Sequence, residues 1–186
     1  MRRGLLAFGV LAGTGTAMTY VGLVTGAGPI DLNVGRRIRP LGPQTVRIKA
    51  PKSLVFEIIA APYVERQPRA VAQKIQVLER GSDMVLAAHF TPISGRLRAK
   101  TVETVRFTPP DRIDFRLVRG PVPHVVETFT LTTEDDATIL TYEGEMGSDL
   151  WALGERWADR VAVVWEATVA TSLGAIADEA ERRTSH

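Results

Sequence analysis

From residue 44 to residue 145 the chain reads as short polar–apolar alternations cut by turn residues, with one helical interruption near the start. Gln44 to Lys49 alternates with a period of two, the mark of a half-buried strand. Pro51 suits the first turn of a helix, where its missing N–H is harmless, and Leu54, Val55, Ile58 and Ile59 recur at helical spacing. Pro62 and Pro68 interrupt the next stretch, leaving a short helix or turn over Tyr63 to Arg69. Six strand-like stretches come next: Ala72–Arg80, Met84–Thr91, Arg96–Phe107, Arg112–Val118, His124–Thr133 and Ala137–Glu145. Connections this short allow only antiparallel neighbours.

Asp149 to Arg183 closes the chain as a long amphipathic helix. At 100° per residue, Leu150, Leu153, Gly154, Trp157, Val161, Val164, Trp165, Thr168, Ser172 and Ala175 share one face, with Glu155, Asp159, Glu166 and Glu181 opposite. Ser148 or Asp149 is the expected cap of its first turn.

Alternation also assigns strand faces. Leu97, Ala99, Thr101, Glu103, Val105 and Phe107 are expected inward, as are Ile113, Phe115, Leu117, Val125, Glu127, Phe129, Leu131, Leu140, Tyr142, Gly144 and Met146. On the third strand Met84, Leu86, Ala88 and Phe90 are read as inward, which turns His89 outward, and His124 also falls on the outward parity. Two carboxylates, Glu103 and Glu127, thereby stand on an otherwise apolar face. A buried carboxylate costs several kcal/mol unless paired or neutralised. It therefore calls for an explanation: a polar anchor for a ligand, a proton-transfer group, a place at the open rim, or pairing with Arg66 or Arg69.

Ahead of this domain, Leu5 to Val24 runs for 20 residues without a charge, flanked by Arg2 and Arg3 and by Arg36, Arg37 and Arg39. A helix of that length spans about 30 Å, the thickness of a hydrocarbon core. Residues 1–25 are read as a single-pass membrane anchor, with an uncleaved or cleaved signal-like segment as the rival. Residues 26–43, with Gly26, Gly28, Pro29, Gly35, Pro40, Gly42 and Pro43, read as a linker. The expected location is the cell membrane, and the distribution of arginines leans towards a cytoplasmic domain.

Charge narrows the functional classes. Residues 1–49 hold seven Lys/Arg against one acid, so residues 50–186 carry 16 basic and 20 acidic groups. A folded body with net negative charge argues against nucleic-acid binding. There are no cysteines and three histidines, which excludes disulfide scaffolds, thiolate metal sites and cysteine nucleophiles. Nucleophile elbows, phosphate loops and metal-ligand spacings are missing too, so no metal or cofactor is expected.

The order of strand, helix, six-stranded meander and long helix, with Val46-x-Ile48-x-Ala50-Pro51, Val55-Phe56 and a closing helix carrying Trp157 and Trp165, resembles the SRPBCC or START-like superfamily, the polyketide cyclase/dehydrase and lipid-transport proteins. The resemblance covers residues 44–183. It implies an α+β helix-grip fold, in which a curved antiparallel sheet wraps the last helix over a hydrophobic cavity. Members bind lipids, sterols, polyketides or hormones, and some catalyse cyclisation. The expected ligand-contacting residues are Glu103, Glu127, Phe129, Tyr142, Trp157, Val161 and Trp165. Three functions remain open: a membrane-tethered carrier of a lipid or polyketide/isoprenoid-like compound, a cyclase or dehydratase using a cavity glutamate, and an interaction module with a filled cavity.

Overall fold

The computed structural model describes residues 21–22, 31–63, 74–94 and 97–185. The anchor read at residues 1–25 lies almost entirely outside the described residues, as do Arg66 and Arg69. The elements are β1 (Arg37–Ile48), α1 (Lys52–Ala60), a 3-10 turn (Ala61–Tyr63), β2 (Ile75–Arg80), β3 (Met84–Ser94), β4 (Leu97–Thr108), β5 (Arg112–Arg119), β6 (His124–Glu134), β7 (Ala137–Ser148) and α2 (Trp151–Thr184). They form a seven-stranded sheet in the order β1-β7-β6-β5-β4-β3-β2, and every neighbouring pair is antiparallel. The meander runs from one edge to the other, and β1 pairs with the last strand. A stretch containing α1 therefore connects the two edges of the sheet.

β1 starts at Arg37, inside the stretch read as linker. It tolerates Pro40 and Pro43 because it is an edge strand with a register shift between Leu41 and Gln44. Gly42 sits in that bulge at φ +75°, where a Cβ would lie 2.8 Å from the Tyr142 carbonyl oxygen.

α2 lies over β1, β7 and α1, while Phe56 of α1 and Tyr63 of the 3-10 turn pack against Phe107 on β4. The buried residues of α2 are Ala158, Ala162, Leu173 and Ala180, so the helix approaches the sheet through small side chains. This rotates it from the expected face: Leu153 is 71% and Val164 49% exposed. The acids expected to face solvent instead reach sideways to β1. Glu155 pairs with Arg37 at 2.9 Å and Asp159 with Arg39 at 2.7 Å. Glu166 accepts from the Gly42 amide at 3.1 Å, and Glu181 accepts from the Lys49 amide, just past the strand, at 3.0 Å. A helical wheel records spacing only, and it does not separate an acid facing water from one facing a strand edge.

The expected cap is also replaced. Leu150 occupies the N-cap with φ 70°, and no side chain caps the helix. The Asp149 carboxylate accepts instead from the Leu32 and Asn33 amides at 2.7 and 2.8 Å and from Arg36 Nε at 2.8 Å. It pins residues 32–36 across the sharp β7–α2 turn, and the hydrogen bonds from Arg36 and from the Leu32 and Asn33 amides hold its pKa below the usual carboxylate range against the effect of burial.

That turn reverses an ordinary rule. Alanine for glycine near a helix start usually stabilises by up to about 1 kcal/mol. At Gly154 the new Cβ would fall 1.6 Å from the Asp149 carbonyl oxygen. Gly154→Ala is therefore expected to lower stability by about 1–3 kcal/mol, read as a lower urea midpoint with an unchanged m-value.

Candidate functional site

The strand faces assigned from alternation on β4 to β7 are the ones observed. Thr101, Glu103 and Val105 on β4, Ile113 and Phe115 on β5, Val125, Glu127, Phe129 and Leu131 on β6, and Leu140, Tyr142 and Met146 on β7 are all buried. Burial is complete at Val105, Ile113, Leu140 and Tyr142, each 0% exposed. Glu103 and Glu127 keep 6% of their surface, Phe115 8% and Phe129 9%.

Glu127 is the centre of one polar cluster. Tyr142 Oη donates to its Oε1 at 2.6 Å, and Trp165 Nε1 on α2 donates to the same oxygen at 2.5 Å. Oε2 makes no hydrogen bond among the described residues. Burial pushes the Glu127 carboxyl up, the nearby charge of Glu103 adds to this, and the Tyr142 and Trp165 donors oppose it; the result is about 7. Burial and the neighbouring Glu127 raise Tyr142 as well, so it stays protonated and serves as a donor.

A second cluster was hidden by the wrong parity on β3. His89 pairs across the sheet with Thr101, as Ala87 does with Glu103 and Val85 with Val105. Cross-strand partners share a face, so His89 points inward, correcting the outward reading. Residues 84–88 are apolar without a break, so alternation carried no information there. An unbroken hairpin with Ser94 opposite Leu97 would have set Thr101 opposite Phe90; the register shift between Pro92 and Ser94 moves the pairing by one residue and brings inward Thr101 opposite His89.

His89 Nδ1 lies 3.2 Å from Glu103 Oε2, close enough for an ion pair although off the line of a good hydrogen bond. Its Nε2 lies 2.9 Å from Tyr63 Oη, at the end of the 3-10 turn. Burial favours neutral His89, but the charge of Glu103 overrides it and raises the pKa. Burial would likewise raise Glu103; the imidazolium and the Thr101 hydroxyl hold it below the usual range. Tyr63 is raised well above an ordinary phenol by burial and by both glutamates. Tyr63, His89 and Glu103 thus form a line of proton carriers on the same inner face as Glu127.

Aromatic rings join the two clusters. Tyr63 lies 6.5 Å from Phe115, Phe115 lies 5.3 Å from Phe129, and Phe129 lies 5.6 Å from Tyr142. Of the expected residues, Glu127, Tyr142, Trp165 and Phe129 come together. Glu103 belongs to the His89 cluster. Trp157 turns its indole to the Pro121 carbonyl at 2.8 Å, and Val161 lies between the two tryptophans, packed against the core. A cleft of about 390 Å³, lined by Ala60, Tyr63, Met84, Val85, Phe107 and Pro109 among others, opens beside Tyr63. It is open to solvent, is also lined by Arg80, Gly81, Ser82 and Asp83, and does not reach Glu127.

No protein-family model and no curated protein sequence matches the chain. Solved structures do. The aromatase/cyclase Zhui from Streptomyces sp. R1128 superposes with a TM-score of 0.61 at 21% identity, over 80% of this chain and 96% of that one. A START superfamily protein from Mycobacterium smegmatis gives 0.53 at 15% identity, over 78% of this chain and 97% of its own. Norcoclaurine synthase from Thalictrum flavum, in complex with dopamine and hydroxybenzaldehyde, gives 0.54 at 11%, over 77% of this chain and 85% of that one. The fold is the START-like helix grip. At these identities the likeness is one of fold, and it includes the curved antiparallel sheet and the long closing helix.

The Glu127 carboxyl has a stability consequence. Its pKa rises from 4.5 unfolded to about 7 folded, so the folded protein holds this proton more tightly. That contribution is complete below about pH 4.5 and is lost as the pH climbs to about 7. It amounts to about 3 kcal/mol. Glu127→Gln, which keeps an acceptor for Tyr142 and Trp165, is expected to gain stability relative to wild type from pH 5 to pH 8. Denaturant melts across that range measure it, and parallel pH profiles for the two proteins would refute a buried proton at Glu127.

Proposed function

We propose that the domain binds a hydrophobic small molecule, a lipid or a polyketide- or isoprenoid-like compound, over the inner face of β3–β6, and that residues 1–25 tether it to the cell membrane. The observation that carries the first half is Glu127. Two protein donors occupy one of its oxygens, the other makes no protein hydrogen bond among the described residues, and aromatic rings surround it. This suits a ligand with an apolar body and one hydroxyl or other donor. The START-like neighbours support the same reading: Zhui is an aromatase/cyclase, and norcoclaurine synthase holds small aromatic molecules.

Native mass spectrometry of the full chain taken from membranes tests this reading directly. Wild type is expected to carry a hydrophobic compound, and Glu127→Ala to bind it about tenfold more weakly, the loss of about 1.4 kcal/mol. Repeated isolation of an empty wild-type protein would reject binding.

A second reading, a cyclase or dehydratase, is favoured by one specific feature. A carboxyl that titrates near neutrality can both accept and donate a proton, and the Tyr63–His89–Glu103 line lies on the same face. In that case Glu127→Gln abolishes turnover of a polyketide-like substrate while binding survives. Unchanged turnover would remove Glu127 from the chemistry.

A further inference from the structure

At the end of the domain where the chain arrives from residue 30, five large apolar side chains stand in water. Leu32 is 55% exposed, Val34 47%, Ile38 50%, Trp151 57% and Leu153 71%. They form one patch. The Leu150 amide donates to the Val34 carbonyl at 2.8 Å and the Trp151 amide to the Gly35 carbonyl at 3.0 Å, which lays residues 32–36 alongside the start of α2. The Trp151 ring covers Gly35 so closely that a Cβ there would lie 2.3 Å from it. Ile38 lies beside Gly147, whose added Cβ would meet Ile38 Cδ1 at 2.7 Å.

The patch is held rigidly by unusual means. Asp149, its side chain 1% exposed, ties down Leu32, Asn33 and Arg36. Leu150 and Trp151 both adopt positive φ, 70° and 48°, a conformation costly for large residues.

We propose that this patch lies against the surface of a lipid bilayer. The proposal builds on the reading of residues 1–25 as a tether. If Leu5–Val24 crosses a membrane, residues 25–30 let the patch stand at most about 25 Å from where the span ends. The surface chemistry matches an interface: a tryptophan with aliphatic neighbours, and exposed Arg156 and Arg160 on the next turns of α2 for anionic headgroups. The same first turns of α2 carry Trp157 towards the loop at Pro121. The membrane contact and the helix whose Trp165 holds Glu127 are therefore one element, and a lipid-soluble ligand would enter from the bilayer side.

The test uses the full chain in nanodiscs of phosphatidylcholine and phosphatidylglycerol with acyl chains brominated near the headgroup. Tryptophan emission of wild type is expected to be quenched in part, and Trp151→Phe to lose at least half of that quenching. Leu153→Glu, which keeps the indole, should reduce quenching at least twofold, while Leu78→Glu on the far-edge strand β2 should not. Quenching that is absent in wild type, or unchanged in both patch variants, overturns the proposal. Carbonate extraction separates the tether from the patch. A chain that is extracted yet still quenched through Trp151 loses the tether and keeps the patch, whereas one that resists extraction without Trp151 quenching keeps the tether and loses the patch. A chain dimeric in detergent and monomeric as Leu153→Glu, with Trp151 unquenched, would assign the patch to a second copy and overturn the bilayer contact.

Discussion

The seam between α2 and β1 decides most of this molecule. Ala158, Ala162 and Ala180 bring the helix close to the sheet, and Glu155, Asp159, Glu166 and Glu181 hold it to β1 or its end along almost its whole length. A helix fixed to that side of the sheet leaves Phe56 and Tyr63 to pack against Phe107 on β4. The polar residues of the inner face find partners across the sheet, on the 3-10 turn and on α2. The surface ion pairs are individually weak; the alanines determine the distance, and the acids choose the edge.

On the inner face two buried carboxylates take opposite solutions to the same problem. Glu103 stays charged by facing an imidazolium. Glu127, with neutral donors only, moves its titration to about 7. Two like charges close together cannot both be kept in apolar surroundings without cost, so the pair separates into one ionised and one protonatable member. A protonatable carboxyl with aromatic walls is equally fit to anchor a ligand's hydroxyl and to exchange a proton with it, which is why carrier and cyclase share one geometry here.

The β7–α2 turn serves the other end of the domain. Asp149, available by sequence to cap a helix, instead clamps the incoming chain, and the helix begins uncapped with two residues at positive φ. The stabilisation forgone at the cap is offset by Arg36 and two backbone amides. The result is a fixed apolar surface next to the point where the chain enters the domain.

Alternation alone placed Glu103, Glu127, Phe129 and Tyr142 on the inner face, because a period of two leaves no freedom once a strand has one wet side. The strand count, their antiparallel order and the closing helix were legible for the same reason. Three things were not. β3 is apolar on both parities, so only its register against β4 turns His89 inward. The α2 wheel gives angles without an origin, so only its seat on β1 shows that the alanines face in and that Leu153 faces out. The partners of Asp149 lie more than 100 residues away in the chain. Local periodicity determined which residues share a face. Only the packed structure decided which faces meet, because that depends on distances between elements that no local pattern encodes.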